Sequence, residues 1–298
     1  MNSKNQHAPV ALFVYQRLEN VKKIVHSLKK NYFAKQSELY IFSDGAESFR
    51  EEEKVLRVRN FIRKIKGFKK IYLYEHSENL GLANSIISGI NKVLNKRKNV
   101  IVLEEDLFLT SNFLNYMNKA LKYYKFRTKV MSISGSAFPF NKKGIKDYYF
   151  LRHISSHGWA TWRNRWKYFN NNADYFINKF SQKDIENFDY GQSGYFWPQI
   201  LANKKKKIYT WAIFWYATIF LKKGLCLYPK KSFAAHIGND KYATHAFNDK
   251  IYFNLLRTKK FINNFTFPNQ TKYCSLASKR FEDVINNKNS NTWNFFLI

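Results

Sequence analysis

Val100-Ile101-Val102-Leu103-Glu104-Glu105-Asp106-Leu107-Phe108-Leu109 is the stretch on which the fold turns. Four apolar residues in a row read as a buried strand, because a strand covered on both faces does not alternate. Three carboxylates follow without a break, and three more apolar residues close behind them. Like charges at the end of a buried strand repel and lose hydration, so a divalent cation or a set of donors is needed to offset the cost. Oxygen ligands of this kind suit Mg²⁺ or Mn²⁺, which can bridge a diphosphate. A solvated loop, or a helix start capped by Ser111, accounts for the same residues without a cation.

Three similar apolar runs precede this one: Val10 to Tyr15, Leu39 to Phe42 and Ile71 to Tyr74. The four starts are separated by 29, 32 and 29 residues, about the length of one βα unit. Between them Val21, Ile24, Val25 and Leu28, then Val55, Val58, Ile62 and Ile65, then Ile86, Ile87, Ile90 and Leu94 recur at helical spacing. The spacing predicts an α/β fold with a mostly parallel sheet flanked by helices. Ligands in such sheets bind beyond the carboxyl ends of the strands. Gln16-Arg17, Ser43-Asp44-Gly45, Asn79-Leu80-Gly81-Leu82 and the acidic triplet are therefore expected on one rim.

The 298 residues include 45% apolar side chains, with 28 Phe, 20 Tyr and 7 Trp, ample for a large core and contrary to disorder. No run reaches the ~18 to 20 apolar residues that span a bilayer; the nearest, Trp211 to Leu221, reads as a buried helix. The short run near the N-terminus leads straight into Gln16-Arg17-Leu18-Glu19, unlike a secretory signal, so a cytoplasmic chain is expected. Two cysteines, Cys226 and Cys274, make neither a disulfide framework nor a zinc site. Lysine and arginine number 51 against 21 acids, a net charge of +30. That balance fits an acidic partner, whether nucleic acid, anionic membrane or phosphorylated substrate. Many lysines lie among asparagines, however, as a compositional bias would also produce. Aromatics crowd residues 155 to 220, which places a boundary near residue 130. The expected organisation is a nucleotide-binding half over 1–130, an aromatic-rich acceptor-side half over 131–248 and a wrapping segment over 249–298.

An apolar strand running into Glu104-Glu105-Asp106 and then Ser111-Asn112-Phe113 resembles the metal-binding motif of GT-A glycosyltransferases, nearest to the N-acetylglucosaminyltransferase I type and to bacterial surface-polysaccharide transferases. Val10 to Arg17 resembles their opening strand, and Ile41-Phe42-Ser43-Asp44-Gly45 their second. Asn79-Leu80-Gly81-Leu82-Ala83-Asn84 resembles their Asn-x-Gly segment, and Ser156-His157-Gly158-Trp159 their Gly-Trp turn near the donor sugar. The similarity runs over residues 8–245.

The resemblance implies that Arg17, Asp44, Gly81, Asn84, Glu105, Gly158 and Trp159 bind the nucleotide-sugar and that Asp106 ligates Mn²⁺ or Mg²⁺. The residue types suit those roles: arginine presents donors to phosphate oxygens, and aspartate accepts from a base. An ion pair at a helix start and an Asp-Gly turn explain Arg17, Asp44 and Gly45 equally well on their own. GT-A enzymes often place a late histidine on the metal; His245 is the first choice and His236 the second. For the catalytic base the corresponding stretch, Trp211 to Trp215, holds no acid, which leaves Asp240 or a retaining mechanism without a dedicated base.

The expected activity is transfer of a hexosyl or N-acetylhexosaminyl unit from a nucleotide-sugar to a glycan or lipid-linked acceptor, as in bacterial capsule, O-antigen or lipooligosaccharide assembly. Lys204 to Lys207, Lys222-Lys223 and Lys230-Lys231 could face anionic lipid at the inner face of the plasma membrane, or simply solvent. The competing readings are a metal-dependent nuclease or nucleotidyltransferase, favoured by the charge, and a degenerate GT-A protein that binds without turnover. No recognisable nucleic-acid-binding module accompanies the charge, so no specific nucleic acid is expected.

Overall fold

The computed structural model describes residues 7–191, 193–237 and 260–287. The expected site residues Asp240 and His245 lie outside the described residues, as does the C-terminal stretch Trp293 to Ile298.

The four apolar runs form strands β1 (Val10–Val14), β2 (Glu38–Ser43), β3 (Lys70–Glu75) and β4 (Asn99–Glu104). The three amphipathic stripes form helices α1 (Leu18–Lys29), α2 (Phe49–Ile62) and α3 (Leu82–Lys96). Beyond the triplet come β5 (Leu107–Leu109), α4 (Phe113–Tyr123), β6 (Val130–Ser134), β7 (Tyr148–Leu151) and β8 (Trp159–Trp162). Then follow α5 (Arg163–Trp166), α6 (Ala173–Lys179), α7 (Gln182–Phe188), α8 (Trp197–Lys204), α9 (Ala212–Leu221), β9 (Leu225–Pro229), β10 (Ala234–His236) and α10 (Ser275–Asn286).

Eight strands make one sheet in the order β3-β2-β1-β4-β8-β6-β9-β7. β3, β2, β1 and β4 are mutually parallel, β8 is antiparallel to both β4 and β6, β9 is parallel to β6, and β7 is antiparallel to β9. The sheet is thus mixed and mostly parallel, flanked by helices, as the spacing predicts. It continues through the β4–β8 pair, so strands from either side of residue 130 belong to one layer.

Alternation within the continuous apolar strands feeds two cores. Ala11, Phe13, Tyr40 and Phe42 meet Ile86 and Ile90 of α3 and the aromatics of α9, whereas Val10, Leu12, Val14, Leu39 and Ile41 meet α1, α2 and α4 on the other face. Val100, Ile101, Val102 and Leu103 are all fully buried, each contributing about 1.5–3 kcal/mol of hydrophobic transfer. Both neighbours of β4 are strands, which leaves its end fixed in position. The run Trp211 to Leu221 is a helix apolar on every side, and Ala212 through Phe220 are buried, as a helix inside a core requires. Among the described residues no helix is long and apolar enough to cross a membrane.

The chain after residue 259 returns along α4. Asn112 donates to the Lys260 carbonyl at 2.8 Å and accepts from Ile262 N–H at 2.9 Å, and Asn115 donates to the Ile262 carbonyl at 2.7 Å. Phe281 of α10 then closes over Phe138 and His153.

Candidate active site

The register of β1 on β4 sets Phe13 beside Glu104, so the residues just past each strand meet above the sheet. Glu105 accepts the Tyr15 backbone N–H at 2.6 Å and Arg17 Nε at 2.6 Å. The same guanidinium reaches Asp106, with Nη2 2.9 Å from Oδ2. From the other direction β10 pairs antiparallel with β5, His236 opposite Leu107. This register brings His236 Nε2 to 3.2 Å from Asp106 Oδ2 and lets Ile237 N–H donate to the Asp106 carbonyl at 2.7 Å. His157 stands behind, its ring centre 5.4 Å from that of His236.

These neighbours separate the three acids electrostatically. Glu104 has lost its hydration and faces two other carboxylates, which together push its pKa up to about 8 despite Arg17. Glu105 is also raised by burial, against the pull of Arg17 and the Tyr15 N–H. Asp106 is opposed by burial too, but the hydrogen bond and charge of His236, joined by Arg17, hold its carboxyl well below the usual range. Burial and their neighbours thus push Glu104 and Glu105 toward the protonated form and hold Asp106 toward the ionised one. His157 is lowered to about 4 by burial and by the neighbouring His236.

Asp44 and the Asn79 segment sit on the adjoining part of the rim. Asp44 Oδ1 accepts Gly45 N–H at 3.0 Å and Leu80 N–H at 2.9 Å, while Asn79 Nδ2 donates to the Gly45 carbonyl at 2.8 Å. Gly45 touches this segment so closely that a Cβ there would overlap the Glu78 carbonyl. At Gly81 the requirement is conformational: φ is +73° and ψ 155°, a region open only to glycine, and the space around its Cα is empty. Tyr15 and Gln16 hold the first turn of α2 through Glu51, Gln16 Nε2 donating to its carboxylate at 3.1 Å. The four polar turns thus converge on one rim.

Not every expected residue points there. Asn84 is exposed on α3, its Nδ2 turned back to the Leu80 carbonyl at 2.9 Å. Gly158 adopts φ +68° in the turn entering β8, and its carbonyl accepts Gly135 N–H at 2.6 Å. Trp159 is 1% exposed and stacks on Trp211 with ring centres 5.1 Å apart. Strand alternation turns its ring into the α9 core, so its side chain is packing and only the adjoining backbone reaches the rim. Trp211 and Trp215 are buried in that same core.

A divalent cation finds two donors here. Among the described residues no group of three His, Cys, Asp and Glu could hold a metal. Asp106 and His236, however, place a carboxylate oxygen and an imidazole nitrogen 3.2 Å apart, donor types that Mg²⁺ and Mn²⁺ accept. Mg²⁺ and Mn²⁺ sites of this kind complete their shell with water and substrate phosphate. The pair fits such an ion, with Arg17 sharing the same carboxylate oxygen. His236, the second choice from sequence, stands beside Asp106, while His245 lies outside the described residues.

No family model matches the chain, and no curated protein matches it. Among solved structures, a mannosyltransferase from Pyrobaculum calidifontis, PcManGT, in complex with GDP-Man and Mn²⁺, is similar at 13% identity with a TM-score of 0.38, covering 55% of this chain and 47% of that one. TarS of S. aureus is similar at 12% identity and a TM-score of 0.38, covering 55% of this chain and 30% of its own. The chain thus spans less than half the length of either protein.

Proposed function

We propose that the protein is a metal-dependent glycosyltransferase of GT-A architecture, transferring a hexosyl or N-acetylhexosaminyl unit from a nucleotide-sugar to a glycan or lipid-linked acceptor in surface polysaccharide assembly. The observation that carries this reading is the rim itself. Asp106 stands just past the end of the central strand, His236 lies 3.2 Å away, and Arg17 bridges Asp106 and Glu105. Asp44 and Gly45 adjoin them over the next two strands, where a base and ribose would lie beside a diphosphate.

In this reading Asp106 and His236 hold Mn²⁺ or Mg²⁺, which when bound supplies Lewis-acid stabilisation to a departing diphosphate. Arg17 keeps Glu105 and Asp106 oriented and presents a remaining N–H to phosphate or ribose oxygen. Asp44, held by two backbone N–H groups, offers a carboxylate to a base, and the empty space over Gly81 admits the sugar. Because Arg17 already occupies two of the three acids, a pair of metals as in two-metal nucleases is less well supplied.

Calorimetric binding of UDP-, GDP- and dTDP-sugars with and without Mn²⁺, together with release of nucleoside diphosphate, tests the reading. One donor class should bind in a Mn²⁺-dependent manner, and Asp106→Ala should abolish that dependence. Absence of binding and turnover across all three classes overturns it.

A further inference from the structure

The loop joining α8 to α9 carries Lys204, Lys205, Lys206, Lys207, Ile208 and Tyr209 in succession. Ile208 is 38% and Tyr209 51% exposed, and Tyr175 of the neighbouring α6 is 41% exposed. These side chains form one surface. Lys204 pairs with Asp174 at 2.6 Å, and the Tyr209 hydroxyl accepts from Asn171 at 3.2 Å, which ties the loop to the start of α6. Lys205, Lys206 and Lys207 are exposed and form no ion pair among the described residues.

The backbone shows that the lysines are not simply what the turn prefers. α8 ends with Lys206 N–H donating to the Asn203 carbonyl and Lys207 N–H to the Ala202 carbonyl, and Lys206 sits at φ +53°. That left-handed position is normally taken by glycine, because a Cβ there crowds the following carbonyl oxygen. Lys223 takes the same position after α9, and at both tips the lysine side chain is carried outward into solvent.

The surface also has a definite place. Trp211, two residues beyond Tyr209, stacks on Trp159, and Trp159 pairs with Val102, two residues short of Glu104. The loop therefore projects from the same end of the sheet as the rim that holds Asp106.

We infer that this Lys-Ile-Tyr surface docks the protein on an anionic bilayer, with Lys205, Lys206 and Lys207 at the phosphate level and Ile208, Tyr209 and Tyr175 at the headgroup boundary. Tyrosine, with an apolar body and a polar tip, is suited to that depth, and each lysine near a negatively charged leaflet contributes roughly a fivefold gain in partition. A strand of nucleic acid would use the same lysines but has less use for an exposed isoleucine beside them. The inference stands on this surface and not on the reading of the rim, but it would bring the rim to a lipid-linked acceptor.

Flotation with phosphatidylcholine vesicles, and with vesicles in which phosphatidylglycerol replaces part of the phosphatidylcholine, tests it. The unaltered protein should float with the anionic vesicles only, and less as salt is raised. Replacing Lys205 and Lys207 by Ser and Lys206 by Gly should lower partition by roughly a hundredfold. The melting temperature should stay level or rise, because Lys206→Gly relieves the left-handed position. Ile208→Ser with Tyr209→Ser should weaken binding with no change in charge. As a charge-matched control, Lys64, Lys66 and Lys69 are replaced by Ser; these exposed residues precede β3 at the opposite end of the sheet. Failure of the unaltered protein to float with anionic vesicles overturns the inference. So does an equal loss in the control variant, and so does a loop variant that keeps vesicle partition while losing oligonucleotide binding.

Discussion

Arg17 Nη2 lies 2.9 Å from Asp106 Oδ2, and the same guanidinium holds Glu105 through Nε at 2.6 Å. One half-exposed arginine at the end of β1 therefore neutralises two acids at the end of β4. Removing it strands buried charge. Arg17→Ala should cost about 2 kcal/mol at neutral pH, less than the ~3–5 kcal/mol lost when one partner of a fully buried pair is deleted, because water reaches the guanidinium. The loss should shrink on acidification, as Glu105 takes up a proton instead. Urea unfolding at neutral and mildly acidic pH measures both. Lys at this position should recover little, because an ammonium cannot serve two carboxylates in the fork geometry.

Among the described residues, His236 and Asp106 are the two donors that would hold a cation. His236→Ala should weaken Mn²⁺ binding at least about tenfold in the presence of the cognate nucleoside diphosphate, the scale on which loss of a metal's supporting residue is felt. Electron paramagnetic resonance of free Mn²⁺ gives the affinity directly. An unchanged affinity would remove His236 from the site. The same titration on Asp106→Asn should show a larger loss, since a neutral amide is a poorer ligand for a hard cation.

Gly45 is fixed by contact, not by dihedral angle. A Cβ at that position would overlap the Glu78 carbonyl carbon and oxygen and crowd the Asn79 nitrogen. All three are backbone atoms, which cannot swing aside as a side chain can. Gly45→Ala should therefore push the Asn79 segment off the rim and cost about 1–3 kcal/mol. Gly81→Ala meets no atom but must hold φ +73°, so it should destabilise through the backbone alone. Thermal melting compares the two, and donor binding should suffer in both.

His153 is 1% exposed among Phe138, Phe196, Tyr216 and Phe281, and burial lowers its pKa to about 3. Its ordinary value is about 6.5, so on acidification the unfolded chain takes the proton before the folded one does. The stability this histidine contributes is present above pH ~6.5 and falls by about 1.4 kcal/mol per pH unit on the way down toward its folded value. His153→Phe, which keeps an aromatic ring in the cluster, should flatten that slope between pH 6 and 4. A slope equal to that of the unaltered protein would show that another group governs acid unfolding.

The first half of the fold was legible because its signals are local. Continuous apolar runs bounded by polar turns mark β1 to β4, and stripes such as Val21, Ile24, Val25 and Leu28 mark α1, with boundaries close to those observed. The second half depends on partners far away in the chain. β10 is three residues long and is a strand only through β5, so no periodicity announces it. Its pairing is what sets His236 beside Asp106. The orientation of Trp159 is equally non-local: whether a strand residue faces core or rim depends on a neighbour, here α9, that its own segment does not name. Arg17 was legible as a residue of the rim, but its bridge between Glu105 and Asp106 follows from the β1–β4 register and not from either motif alone.

The ribbon of β5 and β10 has a consequence for synthesis. As the chain leaves the ribosome, Glu104, Glu105 and Asp106 emerge with Arg17 already made, so part of their repulsion can be relieved early. His236 and the Ile237 N–H, which also hold Asp106, arrive only after most of the aromatic-rich half has been translated. Until then β5 has an open edge and the acidic turn lacks its second clasp. The order of translation thus makes closure of this small ribbon a late event, and a nascent chain halted before β10 would carry the triplet without the site.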